Sequence, residues 1–193
     1  MRGTKWMVFV LPMFTVCCLS ALSQAPAKDT SDFQVCDKEY ALCTFSQCGS
    51  VQVLGAQATT MCTCNVRKDF SVGKECAGPT KLADGQTQVM SRYHPITTYS
   101  RCSNNRQWAM CLDSPCTIDP TNPADKTKPQ QAQCKCSVVS GQGDWLVQPG
   151  TAQCTNGVIS SATVDDLDQI TDYLENHPEL HIPNFTVVNI APR

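Results

Sequence analysis

Met61-Cys62-Thr63-Cys64-Asn65-Val66 and Gln133-Cys134-Lys135-Cys136-Ser137-Val138 carry the pattern from which the architecture is read. In each, Cys, Cys and Val fall on alternate positions, with polar or exposed-type residues between them. That period of two is the mark of a β-strand with one buried and one wet face. Neighbouring cysteines on such a strand point the same way, and each reaches a different partner.

Working outward, each Cys-x-Cys pair belongs to a set of six. The first set is Cys36, Cys43, Cys48, Cys62, Cys64 and Cys76; the second is Cys102, Cys111, Cys116, Cys134, Cys136 and Cys154. The residues between them also match. Phe33 and Tyr99 stand three residues before the first cysteine of each set, and Tyr40-Ala41-Leu42-Cys43 matches Trp108-Ala109-Met110-Cys111. Ser46 and Ser114 precede the third cysteine by two. Asp69-Phe70-Ser71-Val72 matches Asp144-Trp145-Leu146-Val147, with Gly73 or Gly150 shortly after. This internal similarity reads as a duplicated module.

The expected fold is therefore small, disulfide-rich and mainly β: two tandem repeats of a three-stranded antiparallel sheet module with a short C-terminal helix. The segments after each Cys-x-Cys strand read as hairpin connections, which puts Phe70 and Val72, and Trp145 and Val147, on the core face beside the cysteines. The Tyr40 and Trp108 segments read as third strands. Residues 49–61 read as an extra edge strand, and residues 117–133, with three prolines, as an irregular loop. The expected organisation is a signal peptide over 1–23, a first six-cysteine repeat over 24–79, a connector over 80–98, a second repeat over 99–160, and a helix with an extended tail over 161–193. Thr163 is the expected helix cap, with Asp165, Asp166 and Asp168 near the positive helix end. Val164, Leu167, Ile170 and Leu174 form the apolar stripe. Asn176-His177-Pro178 ends the helix, and residues 185–190 read as a strand that joins the second sheet.

The compartment follows from the N-terminus and the cysteines together. Arg2 and Lys5 precede an apolar run from Trp6 to Leu19, followed by small residues at Ala21-Leu22-Ser23. This is the form of a secretory signal, too short to cross a bilayer comfortably. Its loss leaves 13 Lys and Arg against 17 Asp and Glu, a formal charge of −4 in place of −2. An even twelve cysteines behind an export signal read as a disulfide framework. Modules of roughly 45–60 residues need such staples, because their cores alone are marginal. The expected location is outside the cytoplasm, periplasmic or extracellular, with no transmembrane segment in the mature chain. No basic block suggests a nucleic-acid partner.

Catalytic, metal and cofactor sites are not expected. Ser46 and Ser114 recur, but no histidine recurs beside them to activate a hydroxyl. Asp69 and Asp144 recur in turns, where aspartate is structurally favoured. His177 and His181 have a metal-binding separation that Pro178 interrupts. The aspartates at 165, 166, 168 and 172 lack the glycine and terminal glutamate of a calcium loop. Asn184-Phe185-Thr186 is a glycosylation sequon, with Pro183 before it. The expected function is an exported, disulfide-stabilised binding or structural protein acting on a protein or surface ligand. One alternative is a protease inhibitor presenting Lys126 and Lys128 from a cysteine-bounded loop; another is a small metal-binding or hydrolytic protein.

Overall fold

The computed structural model describes residues 32–94, 96–121, 127–141, 143–149, 154, 157–178, 188 and 189. The signal segment, Gly150, Lys126, His181 and the 184–186 sequon lie outside these described residues.

The strands in chain order are β1 (Gln34–Cys36), β2 (Tyr40–Leu42), β3 (Gln52–Leu54), β4 (Gln57–Arg67), β5 (Ser71–Gly73), β6 (Thr80–Lys81), β7 (Thr87–Arg92), β8 (Thr98–Cys102), β9 (Trp108–Met110), β10 (Pro115–Ile118), β11 (Gln131–Val139), β12 (Trp145–Val147) and β13 (Ser160–Ser161); helix α1 (Val164–Asn176) and β14 (Val188–Asn189) follow. Among the described residues the protein is mainly β, with six disulfides and one short helix.

The two Cys-x-Cys strands, β4 and β11, are the longest, and they pair with each other. This overturns the picture of two separate three-stranded modules. The pairing closes a ring: β4 joins β11, β11 joins β10, β10 joins β7, β7 joins β2 in parallel, and β2 returns to β4. A sheet closed this tightly favours small interior side chains. Here the buried cluster is Ala41, Val66, Val89, Ala109, Ala132 and eight half-cystines, with Ile118 as its one large side chain.

Within this shared sheet the halves still obey one plan. Ala41 pairs with Val66 and with Ser91; Ala109 pairs with Val138 and with Ser160. The disulfides follow it too: Cys36–Cys76, Cys43–Cys64 and Cys48–Cys62 in the first half, Cys102–Cys154, Cys111–Cys136 and Cys116–Cys134 in the second. In each half the Cys-x-Cys pair reaches two different partners, as parallel side chains on one strand must.

Each half also completes the other. The Phe45 amide donates to the Ser160 carbonyl, and the Asp113 amide to the Ser91 carbonyl; Ser160 and Ser91 amides return bonds to the Ser46 and Ser114 carbonyls. Phe45 and Asp113 both have positive φ, at 62° and 52°. That left-handed turn is costly for a bulky residue such as phenylalanine, and it swings each chain away from its own half toward the other.

Three further expectations are corrected. The segments after β4 and β11 are not hairpin returns: β5 pairs with β1, and β12 with β8. Cys36 faces Ser71 and Cys102 faces Trp145, so Val72 corresponds to Leu146 and the sequence match of Phe70 with Trp145 is one residue out of register. Connections of different length absorb that residue. Consequently the cysteine row and the aromatic row line different cores. Val72 and Leu146 pack with Phe33, Tyr93, Tyr99 and the helix residues Leu167, Ile170 and Leu174, while Trp145 and Val147 pack with Trp108 and Ile159.

Residues 80–98, read as a connector, hold β6, β7 and the start of β8, and β7 is part of the barrel wall. Residues 117–133, read as irregular, begin inside β10 and end inside β11. Their alternation was masked by the prolines between them.

Helix α1 starts and stops where the residues dictate. Thr163 accepts from the Asp166 amide and Asp166 accepts from the Thr163 amide, a reciprocal cap. Leu167, Ile170 and Leu174 are buried across elements of both halves. Val188 and Asn189 add to β8 in parallel, on the sheet that holds β12. No helix among the described residues is long and apolar enough to cross a membrane.

Candidate functional site

Three places gather chemistry. The first is a polar cluster at the start of the barrel wall. Buried Tyr40 on β2 donates from its hydroxyl to Asp69 Oδ1 at 2.8 Å, and Arg67 at the end of β4 donates to Asp69 Oδ2. His94 Nδ1 lies 3.3 Å from the Phe70 carbonyl and 3.5 Å from the Tyr40 hydroxyl. A carbonyl only accepts, so Nδ1 carries its proton in this arrangement. Burial and the adjoining Asp69 carboxylate push the Tyr40 phenol well above its ordinary range. Burial works to raise Asp69, but the bonds from Arg67 and Tyr40 outweigh it and hold the carboxyl below its usual value. The phenol therefore stays protonated as a donor. In the other half Trp108 occupies the place of Tyr40 and stacks on Trp145 at 6.3 Å between centroids. One half is clamped by polar bonds and the other by rings, so the cluster serves as a fastening.

The second place sets a buried arginine of one half near an aspartate in a turn of the other. Arg92 on β7 is fully buried. Its Nε and Nη2 donate to the Glu75 carbonyl at 2.9 and 2.6 Å, and Nη2 also to the Ala77 carbonyl at 2.7 Å. Asp113, in the turn of the other half, accepts from the Lys74 amide through Oδ2 at 2.8 Å. Arg92 Nη1 and Asp113 Oδ1 have no hydrogen-bond partner among the described residues. Burial lowers the guanidinium and raises the Asp113 carboxyl, each partly offset by the other's charge. Both side chains crowd Gly73, where an added Cβ would lie 2.8 Å from Asp113 Oδ1. Here a bare glycine is what allows the approach.

The third place is a surface. Strand β3 and the first residues of β4 form a hairpin that stands clear of the barrel, with residues 52–57 exposed throughout. Val53 is 71% and Leu54 85% exposed, and Met61 lies partly open on the same strand pair. Among the described residues β3 ends its sheet, so its outer edge carries unpaired backbone groups. The hairpin lies within residues 40–66, which contain no Asp, Glu, Lys, Arg or His. A free strand edge, large aliphatic side chains and no charge are features that soluble proteins ordinarily avoid together.

The residues singled out from sequence are dispersed. The Ser46 hydroxyl donates to the Leu42 carbonyl at 3.4 Å, and the Ser46 and Ser114 amides close their turns on Cys43 and Cys111. Asp144 pairs with Arg101. Asp165 and Asp166 occupy the first turn of α1, where they favour the helix N-terminus. His177 caps that helix, with Nδ1 2.7 Å from the Tyr173 carbonyl and its ring 4.2 Å from that of Tyr173. His181 lies outside the described residues, as does Lys126; Lys128 is exposed before β11. Sulfurs of Cys43, Cys64 and Cys134, and of Cys62, Cys111 and Cys136, gather within 4.8 Å in each set. All belong to disulfides, which leaves no thiolate to ligate a metal. The sets are packed cystines from the two halves, with Cys43 and Cys134 sulfurs 3.3 Å apart.

Reading along the sequence found the edge strand but not its exposure. The signal was there as the long uncharged run around it. Arg92 gave no signal, since a lone arginine in a polar stretch reads as surface. Compared with protein-family models, with curated proteins and with solved structures, the chain matches none.

Proposed function

We propose that this chain is an exported, disulfide-stabilised binding protein, without a catalytic role, that presents the β3–β4 hairpin to a protein or surface ligand. The observation that carries this reading is the hairpin itself: aliphatic, uncharged and open-edged, on a barrel held rigid by cystines. An open edge supplies main-chain hydrogen bonds for affinity, and Val53 and Leu54 supply the side-chain contacts that select a partner. Rigidity lowers the entropic cost of binding. Six disulfides favour an oxidising compartment, periplasmic or extracellular. The matched pairing in the two halves supports a duplicated module whose shared parts are scaffold; among the described residues the open strand β3 has no counterpart in the second half.

The test is direct binding. Labelled mature protein is titrated onto intact cells of its source and onto their extracellular material. Saturable binding that falls at least about tenfold in Leu54→Lys, and is unchanged in the helix variant Glu175→Lys, is the expected result. Saturable binding indifferent to Val53 and Leu54 overturns the assignment, as does the absence of saturable binding. The inhibitor alternative predicts loss of trypsin-like activity in the presence of the protein, abolished by Lys126→Ala with Lys128→Ala.

A further inference from the structure

We infer that the partner of the β3 edge is a second copy of the same chain, joined by antiparallel pairing of β3 with β3 across a two-fold axis centred on Val53. The inference rests on the binding-surface reading above and names its occupant.

Three observations converge. First, the contact is self-compatible in charge. The whole of residues 40–66 is uncharged, whereas the full chain carries a formal charge of −2. Two identical chains repel wherever like-charged surfaces meet, and this run is where no such penalty arises. Second, the edge is bare on one half and blocked on the other. In the first half β3 follows the third cysteine and terminates its sheet. In the second half the strand that follows the third cysteine, β10, is paired on both sides, with β11 and with β7. Among the described residues the matching place is thus covered once and left open once. Third, the required geometry already exists within the molecule. The halves associate through antiparallel pairing of β4 with β11, with Cys62 opposite Cys134. Adding β3 of a second copy to β3 continues that same sheet outward, from β11 and β4 of one chain into β4 and β11 of the other.

The register follows from the pairing inside the hairpin. Gln52 faces Thr59, Val53 faces Ala58 and Leu54 faces Gln57. Val53 is the middle residue of a three-residue strand, so a two-fold pairing sets Val53 against Val53 and Gln52 against Leu54. Three residues span only about 10 Å, a contact too short to reach the roughly 1,200 Å² at which specific, stable interfaces begin. The dimer is consequently reversible and set by concentration.

Sedimentation velocity of the intact mature protein across about 10 μM to about 1 mM is the experiment. The expected result is a concentration-dependent monomer–dimer equilibrium. Val53→Glu and Val53→Lys, each alone, place like charges opposite one another and weaken the dimer at least about tenfold; mixed in equal amounts, they recover association as a heterodimer. Both changes are at an exposed position, and unreduced mass with circular dichroism confirms that each variant is folded. A wild type that is monomeric throughout the range overturns the inference, as does a dimer that ignores both variants or a mixture that does not recover. The cell-binding titration is read separately: saturable binding lost in Leu54→Lys by a strictly monomeric protein keeps the hairpin as a binding surface and removes self-association as its purpose.

Discussion

Cys62 and Cys134 face each other across the antiparallel pairing of β4 and β11, and they hold the same place in the two cysteine sets. The centre of the molecule is thus a meeting of like with like. Every pairing that closes the barrel has its counterpart on the other side of this pair. Around it the cystines of the two halves touch, Cys43 against Cys134 and Cys111 and Cys136 near Cys62. They act as packing as well as cross-links, and that dual role can be separated by experiment.

Removing Cys48–Cys62 by paired alanine substitution opens the barrel core, whereas removing Cys36–Cys76 frees an outer segment. If restriction of the unfolded chain were the only effect, the longer loop would matter more: about 4 kcal/mol for a separation of 40 residues against about 3 for 14. Lost packing adds to the shorter one, because both its sulfurs adjoin the barrel interior. Urea unfolding of the two variants is expected to show the Cys48–Cys62 deletion as the more costly. The reverse order would mean that the core cystines contribute little beyond their covalent bond.

Gly73→Ala is expected to destabilise by roughly 1–3 kcal/mol, since the new methyl meets Asp113 Oδ1 and the Arg92 stem, both already held. Gly49→Ala meets only the Met61 carbonyl at 3.6 Å, an ordinary contact, and serves as the comparison. Equal thermal midpoints for the two variants would remove Gly73 from the junction between halves.

Acid stability should depend on Asp69 and Asp113 with opposite sign. The Asp69 carboxyl is held below its ordinary value of 3.8, so its contribution is present above that value and is lost as pH falls through the lowered one. Asp113 is raised, so its contribution is complete below 3.8 and is lost as pH rises through the raised value. Unfolding midpoints followed from pH 2 to pH 6 are expected to flatten on the acid side in Asp69→Asn. In Asp113→Asn the decline with rising pH should disappear. Parallel shifts of both profiles, with unchanged slopes, would show that neither group titrates with folding.

Thr163→Ala removes the side-chain oxygen that accepts from the Asp166 amide and is expected to cost about 1 kcal/mol, with Thr163→Ser restoring most of it. Because Leu167, Ile170 and Leu174 cover strands from both halves, the loss should appear in the global unfolding transition. A separate low-temperature step confined to helix signals would mean that α1 is not part of the cooperative unit.

Much of this was legible in the chain before any tertiary contact was known. Alternation at Cys62-Thr63-Cys64 and Cys134-Lys135-Cys136 marks two half-buried strands, because side-chain direction along a strand has a period of two. Thr163, the aspartates and the leucine spacing mark the helix, because caps and amphipathic faces are local. The matched residues around the two cysteine sets predict one plan used twice. All of these depend on residues near one another in sequence.

What only the tertiary structure decided is which edges meet. A Cys-x-Cys strand has two edges, and its sequence does not say whether the second belongs to its own half or to the other. β4 and β11 chose each other, and so two expected modules became one closed sheet with Arg92 buried at the junction beside the half-buried Asp113. For the same reason the openness of β3 could not be read locally: an edge is free only when every other strand has been placed. The uncharged run at residues 40–66 belongs to the sequence; that part of it stands in solvent, as the hairpin of Val53 and Leu54, is a property of the closed barrel.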